Sequence, residues 1–239
     1  MVCMVGARTA AMCFNRLADW QIDQENPRTM DRHRLVSRPL AMGMFAISTL
    51  LLVLGAQQLN PLCLVLCPLA ILLITVYSLT KRFTAYSHLF LGLALAAAPM
   101  GAWAAVRGEL WSLPPYVLAL AVLCWVAGFD VIYATMDMEF DRRKGLHSIP
   151  ARFGQRKALG IAQALHGVAA LGFALFGWAA GLGWSYAVAW LLAAGCLVWE
   201  HRISESSEPN TINRAFFQIN AVVGAVLLLG VGLEVLIFK

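Results

Sequence analysis

At 239 residues the chain is 60% hydrophobic and only 13% charged, with a mean hydropathy of +0.71. Water-soluble domains lie nearer about 45–50% apolar and about 25% charged, so a polytopic membrane protein is expected and an aqueous enzyme is not. The net charge of +5 does not point to nucleic acid, because the basic residues sit in links between apolar runs.

A membrane-spanning helix takes roughly 17–25 mostly apolar residues. Runs of that kind fall at 1–18, 40–58, 62–80, 88–106, 115–136, 157–178, 183–200 and 215–238. The predicted fold is all-α: a polytopic transmembrane bundle of about eight helices around a central cavity, forming one domain over 1–239. The first run begins at the initiator methionine and lacks a basic leading segment, so it reads as a helix and not as a cleavable signal. The fourth carries a Gly/Ala-rich surface from Gly92 to Gly101, of the kind that lets membrane helices approach closely. Cys3, Cys13, Cys63, Cys67, Cys124 and Cys196 lie in apolar segments with no CxxC or Cys/His grouping, and read as small buried residues. The scattered histidines give no zinc pattern.

The links alternate in character. Those at 16–39, 81–87, 136–157 and 201–214 are long or charged, and those at 59–61, 107–114 and 179–183 are short and nearly neutral. Of the 18 Lys and Arg residues, all but Arg8, Arg107 and Lys239 fall in the first set. The positive-inside rule then puts the charged links in the cytoplasm and both chain ends on the opposite side.

Two acidic clusters stand at the cytoplasmic ends of apolar runs. Asp130, Asp137 and Asp141 are separated by seven and four residues, rotations of about 700° and 400° on an α-helix, which predicts one shared face with Tyr133 nearby. Asn15, Asp19 and Asp23 repeat the pattern at intervals of four. Grouped carboxylates near lipid repel one another and are costly. Their hard oxygens suit magnesium held together with a phosphate-bearing substrate. The Tyr77-Ser-Leu-Thr-Lys81-Arg82 loop adds two cations at the same membrane face, with ordinary membrane anchoring as the competing explanation. Arg8 lies seven residues before Asn15, about 10 Å deeper on the same face, where an arginine needs a polar cavity or a partner unless it snorkels to the far interface. A weak internal duplication relates the helix, acidic motif and basic loop near 15–39 to those near 130–157.

Together these residues suggest diphosphate chemistry. Metal and cations would stabilise the charge on a departing diphosphate as its carbon–oxygen bond breaks. An allylic substrate would leave a carbocation that needs an apolar cavity with aromatic walls.

The chain resembles the UbiA superfamily of intramembrane aromatic prenyltransferases, particularly its 4-hydroxybenzoate polyprenyltransferase branch. The resemblance rests on Asn15-Arg-Leu-Ala-Asp19-Trp-Gln-Ile-Asp23 with Arg8 before it and Ser37-Arg38-Pro39-Leu40 after it, and on Tyr77-x-x-x-Lys81-Arg82. It rests also on Asp130-x-x-Tyr133-x-x-x-Asp137-x-x-x-Asp141, followed by Lys144-Gly145 and Ser148 to Gly154. It implies transfer of a polyprenyl group from its diphosphate to an aromatic acid, with Mg2+ as cofactor, in ubiquinone or menaquinone biosynthesis at a bacterial inner membrane. Carried over position by position, Asn15, Asp19, Asp23, Asp137 and Asp141 would hold metal and diphosphate, the four aspartates being the metal ligands. Asp130 would support that site or take up the proton. Lys81, Arg82 and Lys144 would bind diphosphate, Arg8 the aromatic carboxylate, and Tyr133 would line the aromatic pocket.

Two departures stand out. Many relatives have Asn-Asp where this chain has Asn15-Arg16, which removes one carboxylate from the first motif. Relatives usually have nine helices, and this chain begins about where their second does. Either the true start is upstream, or the bundle lacks a wall. The acceptor is either a 4-hydroxybenzoate-like acid or 1,4-dihydroxy-6-naphthoate, since AxxxFNRLADWQID and the 88–103 stretch also resemble the branch acting on the latter. Outside the family, the rivals are a secondary transporter, disfavoured because these acids crowd one interface, and an inactive structural homologue.

Overall fold

The structure is a computed structural model that describes residues 1–204 and 209–237, without the side chains of residues 32, 33 and 209–216. The expected helix end at 238, Lys239 and the side chains of the link cations Arg32 and Arg214 lie outside that description. The described residues are helical with no strand, in keeping with the predicted class. In chain order the helices are α1 (Val2–Ala18), α2 (Trp20–Glu25), α3 (Arg32–Leu35), α4 (Arg38–Leu59), α5 (Pro61–Thr80) and α6 (Ser87–Arg107). There follow α7 (Leu113–Ala134), α8 (Met138–Lys144), α9 (Ile149–Phe153), α10 (Gln155–Ala179), α11 (Trp184–Ser204) and α12 (Pro209–Ile237). Eight of these are long and match the eight predicted runs to within a few residues at most ends. Six segments (α4, α5, α6, the stretch Leu113–Lys144, α10 and 217–237 of α12) are long and apolar enough to cross a membrane.

The long helices form two linked groups. In the first, α1 packs on α4 and α5, and α5 packs on α6; in the second, α7 packs on α10, α10 on α11, α11 on α12, and α12 returns to α7. The α6–α7 contact joins the groups. Each acidic motif lies where a long helix gives way to short ones, and the same device restarts the chain after both. Ser37 caps α4 by accepting from the Leu40 amide at 3.4 Å, with Pro39 in the first turn. Ser148 caps α9 by accepting from the Ala151 amide at 3.2 Å, with Pro150 in the first turn. A serine two residues before a proline both fills the open amides of a new helix and pre-sets its backbone.

The short links at the opposite end are held by polar side chains that serve packing. Asn60 alone separates α4 from α5. Its Oδ1 accepts from the Cys63 amide at 2.9 Å, while its Nδ2 donates to the Ala104 and Ala105 carbonyls at 2.8 and 3.3 Å, closing the C-terminus of α6. Glu234 of α12 is buried and accepts from Ser185 Oγ and from amides at the start of α11. Asn60→Ala should cost about 1–2 kcal/mol of stability, the loss of a helix cap plus the hydrogen bonds donated to two carbonyls. Thermal unfolding in detergent measures it.

In the second group a polar cluster lies among α7, α10, α11 and α12. Trp125 Nε1 donates to Asn220 at 2.8 Å, Asn220 donates to Glu200 at 2.7 Å, and His166 bridges the Trp125 carbonyl and His201 at 3.2 and 3.0 Å. Glu200 is only 1% exposed. His166 fills the space beside Gly128, where a Cβ would come within 2.3 Å of the imidazole.

Three expectations need correction. The carboxylates of the second motif do not share one unbroken helix: Asp130 is on α7, Asp137 in a single 3-10 turn at Thr135–Asp137, and Asp141 on α8. The tighter turn resets the angular register, so spacing alone did not place them. The first motif likewise straddles a break, with Asp19 between α1 and α2, although i→i+4 backbone bonds run on from Asn15 to Asp19 to Asp23 at 2.9 and 2.8 Å. Of the Gly92–Gly101 surface, Gly92 is buried against α7, but Gly101 is exposed with open space around it. The cysteines are all free; four are buried, while Cys3 and Cys196 are only partly so.

Candidate active site

One end of the bundle gathers both acidic motifs. Helix α1 turns Gly6, Ala10 and Cys13 toward its packed side, and the Arg8, Asn15 and Asp19 stripe lies roughly opposite. Asp19 is 4% exposed; its Oδ2 meets Lys81 Nζ at 2.6 Å and accepts from Asn15 at 3.4 Å. Asn15 also donates to Ser78 of α5 at 3.4 Å. Burial pushes the Asp19 carboxyl above its ordinary value, and the Lys81 ammonium draws it only part of the way back. The Arg82 guanidinium donates to the Ala18 carbonyl, fastening the end of α1 to the end of α5 where a cation complements the helix C-terminus.

The second motif closes onto the first through residues beyond those expected. Asn26, just past α2, donates to Asp137 Oδ1 at 3.0 Å. Arg28 donates through Nε to the same oxygen at 2.9 Å, pairs with the other carboxylate oxygen, and also donates to the Tyr133 hydroxyl. Its guanidinium carbon lies 4.6 Å from the Tyr133 ring centroid. Burial lowers the pKa of Arg28, but the hydrogen bond and charge of Asp137 outweigh it and carry the value above the ordinary one. Lys144 pairs with Glu25, joining α8 to α2. The His147 amide donates to the Lys81 carbonyl at 2.7 Å, which brings the loop after α8 against the end of α5. Asp141 accepts from Ser148 Oγ at 2.8 Å and lies within electrostatic reach of Asp137 and Lys81. Asp130 bonds His88 of α6 at 2.6 Å. Tyr77 is within reach of both Asp130 and Asp19. Tyr133 meets Phe217 of α12 edge-on at 6.5 Å, and Trp125 meets Phe129 at 5.8 Å, so aromatic side chains flank the α7 stretch that carries the motif.

Every residue expected at the site is therefore at this end except Arg8. Asp23 is half-buried on α2, and its carbonyl accepts from Thr29 at 3.2 Å. Arg8 is exposed about two turns further along the Asn15 and Asp19 stripe. Sequence reasoning missed Asn26, Arg28, Glu25 and His88. Asn26 was within reach, since it extends the Asn15, Asp19, Asp23 series by three residues. Arg28 looked like one more positive-inside loop cation.

The geometry defines a class: a helical membrane bundle whose two acidic motifs, with lysine and arginine, close one end of an apolar interior. The chain belongs to the UbiA prenyltransferase family, which it matches over residues 1–222. Among curated relatives it is 35% identical over 234 residues to the mitochondrial 4-hydroxybenzoate polyprenyltransferase of Arabidopsis thaliana, covering 94% of this chain but only 55% of that protein. It is 33% identical over 230 residues to the 4-hydroxybenzoate octaprenyltransferase of Salmonella paratyphi B, covering 95% and 78% of the two chains. Among solved structures, a UbiA homolog from Aeropyrum pernix K1 superposes with a TM-score of 0.89 at 33% identity, over 98% of this chain and 88% of that one. A digeranylgeranylglyceryl phosphate synthase shares the fold at a TM-score of 0.69 and 17% identity. Family membership and six helices long and apolar enough to cross a membrane make this chain an integral membrane protein of the prenyltransferase family.

Proposed function

We propose that the protein transfers a polyprenyl group from its diphosphate to an aromatic acid of the 4-hydroxybenzoate type, at the cytoplasmic face of a bacterial inner membrane, in quinone synthesis. The observation that carries this reading is the convergence of Asp19, Lys81, Asp137 and Asp141 at one end of an apolar bundle. The names of the Arabidopsis and Salmonella relatives support the acceptor class.

Magnesium fits the donor set, because the available ligands are carboxylate oxygens and Asp19 Oδ1 is buried without a hydrogen-bond partner. Asp19, Asp23, Asp137 and Asp141 would hold it. Among the described residues no three acids, histidines or thiols are grouped closely enough to hold an ion by themselves, so a bound diphosphate would have to supply part of the coordination. When bound, the ion offsets charge on the departing diphosphate. Lys81, Arg82 and Lys144 add fixed positive charge for that leaving group. As the allylic carbon–oxygen bond breaks, diphosphate takes the electron pair, and the Tyr133 ring, with Arg28 over it and Phe217 edge-on to it, would line the pocket for the cation. The ring carbon beside the acceptor hydroxyl then forms the new carbon–carbon bond, and its proton passes to a base, a role this reading gives to Asp130.

Purified membranes given farnesyl diphosphate and magnesium, with 4-hydroxybenzoate or 1,4-dihydroxy-6-naphthoate, test the reading by product mass. Prenylated 4-hydroxybenzoate supports it; product from the naphthoate alone moves the acceptor to the other branch; no product from either rejects it. Arg8 would anchor the acceptor carboxylate. Arg8→Ala should then raise KM for the acid about tenfold while changing KM for the diphosphate less than about twofold. Equal rises in both would remove Arg8 from that role.

A further inference from the structure

His88 is 3% exposed at the start of α6, and the reaction proposed above does not use it. Its ring lies between two elements of the second motif. On one side Nδ1 is 2.6 Å from Asp130 Oδ2 on α7. On the other, the Ile149 amide donates to Nε2 at 3.3 Å. That second bond assigns the tautomer: a nitrogen that accepts from an amide has a free lone pair, so the ring hydrogen is on Nδ1 and is donated to Asp130. Ile149 is 2% exposed and opens α9, where a helix amide has no partner within the helix. The residue before it, Ser148, caps α9 and donates to Asp141. One imidazole therefore ties the Asp130 carboxylate on α7 to the turn that holds the Asp141 carboxylate on α8.

We infer that His88 is a positioning residue for the second motif: as the Nδ1-protonated neutral imidazole it aims Asp130 and sets its spacing to Asp141 through the Ile149–Ser148 turn. The inference rests on the prenyl-transfer reading for its effect on catalysis, and on the structure alone for the contact. A single donor orients a carboxylate rotor that would otherwise turn freely, and a small displacement of a reacting group costs rate more than binding. His88 would thus affect kcat more than either KM.

The two ring nitrogens can be mimicked separately. In His88→Asn the amide NH2 stands near the Nδ1 position and can still donate to Asp130. In His88→Gln the longer side chain puts its carbonyl near the Nε2 position, keeping the Ile149 bond but losing the donor to Asp130. With farnesyl diphosphate, magnesium and 4-hydroxybenzoate, His88→Asn should keep kcat within about threefold of the parent, and His88→Gln should lose about tenfold or more, with both KM values within about twofold. In thermal unfolding of the full chain, His88→Gln and Asp130→Asn should be non-additive, the pair melting no lower than the worse single variant. Equal kcat losses in the Asn and Gln variants, a change confined to KM, or failure of both to fold would reduce His88 to a packing residue and overturn the inference. Should the parent transfer no prenyl group at all, the function proposal fails, and the melting cycle still decides the contact: additive shifts would overturn it.

Discussion

Asp137→Ala is expected to lower prenyl transfer by about 10²- to 10³-fold, the scale of losing one element of the charge stabilisation of a departing anion, here through the ion that Asp137 would hold. The size follows from what converges on this side chain. Asp137 accepts from Asn26 and Arg28 of the first-motif loop and is an expected metal ligand from the second motif. Its removal breaks the direct link between the motifs and also leaves the Arg28 guanidinium without its carboxylate. Orphaning one partner of a partly buried pair costs more than the pair contributes when intact. Asp137→Asn separates the two effects, since the amide preserves shape and some hydrogen bonding but not charge. If charge on Asp137 serves the reaction, the Asn variant melts close to the parent yet stays as inactive as the Ala variant. Activity near the parental level in Asp137→Asn would remove the carboxylate from the mechanism and leave it a structural fastener.

Gly92→Ala should cost about 2–3 kcal/mol, the upper part of the range for overpacking. A Cβ at this position would lie 2.4 Å from the Leu123 carbonyl oxygen and 3.2 Å from the carbon bonded to it. Both are backbone atoms of α7, so no side-chain rotation relieves the contact and the two helices must separate. Gly92 is about one turn past His88, and the shift would also stretch the His88–Asp130 bond. Gly101→Ala, on the same helix with nothing within 4 Å, is the control and should melt like the parent or slightly higher. Equal melting of the two variants would show that α6 and α7 are not in close contact at Gly92.

The chain spans about half the length of the Arabidopsis relative it matches and 78% of the Salmonella one. The activity assigned to those whole proteins is therefore the subject of the assays above. The substitution of Arg16 within the first motif can be examined in the same way. Arg16→Asp gives the first motif the further carboxylate that the resemblance leads one to expect, and a rise in activity together with a lower magnesium requirement would show that the position limits metal binding.

What the linear chain determined by itself is everything that adds up along it. Hydropathy sums over a window, so the long helices were legible to within a few residues, and charge sums over a link, so the end of the bundle that carries the site was legible too. Residue type added the chemistry, because carboxylates beside lipid need a counter-charge wherever they point. The tertiary structure alone decided the pairings. Arg28 meets Asp137 across 109 positions, Asn26 meets it across 111, and His88 meets Asp130 across 42. No periodicity reaches across such separations. The 3-10 turn at Thr135–Asp137 also defeated helical extrapolation, because a tighter winding of three residues rotates every later side chain by tens of degrees. Whether a glycine is a contact or a gap depends on the helix that comes to lie beside it, which is why Gly92 and Gly101 look alike in sequence and differ in the fold.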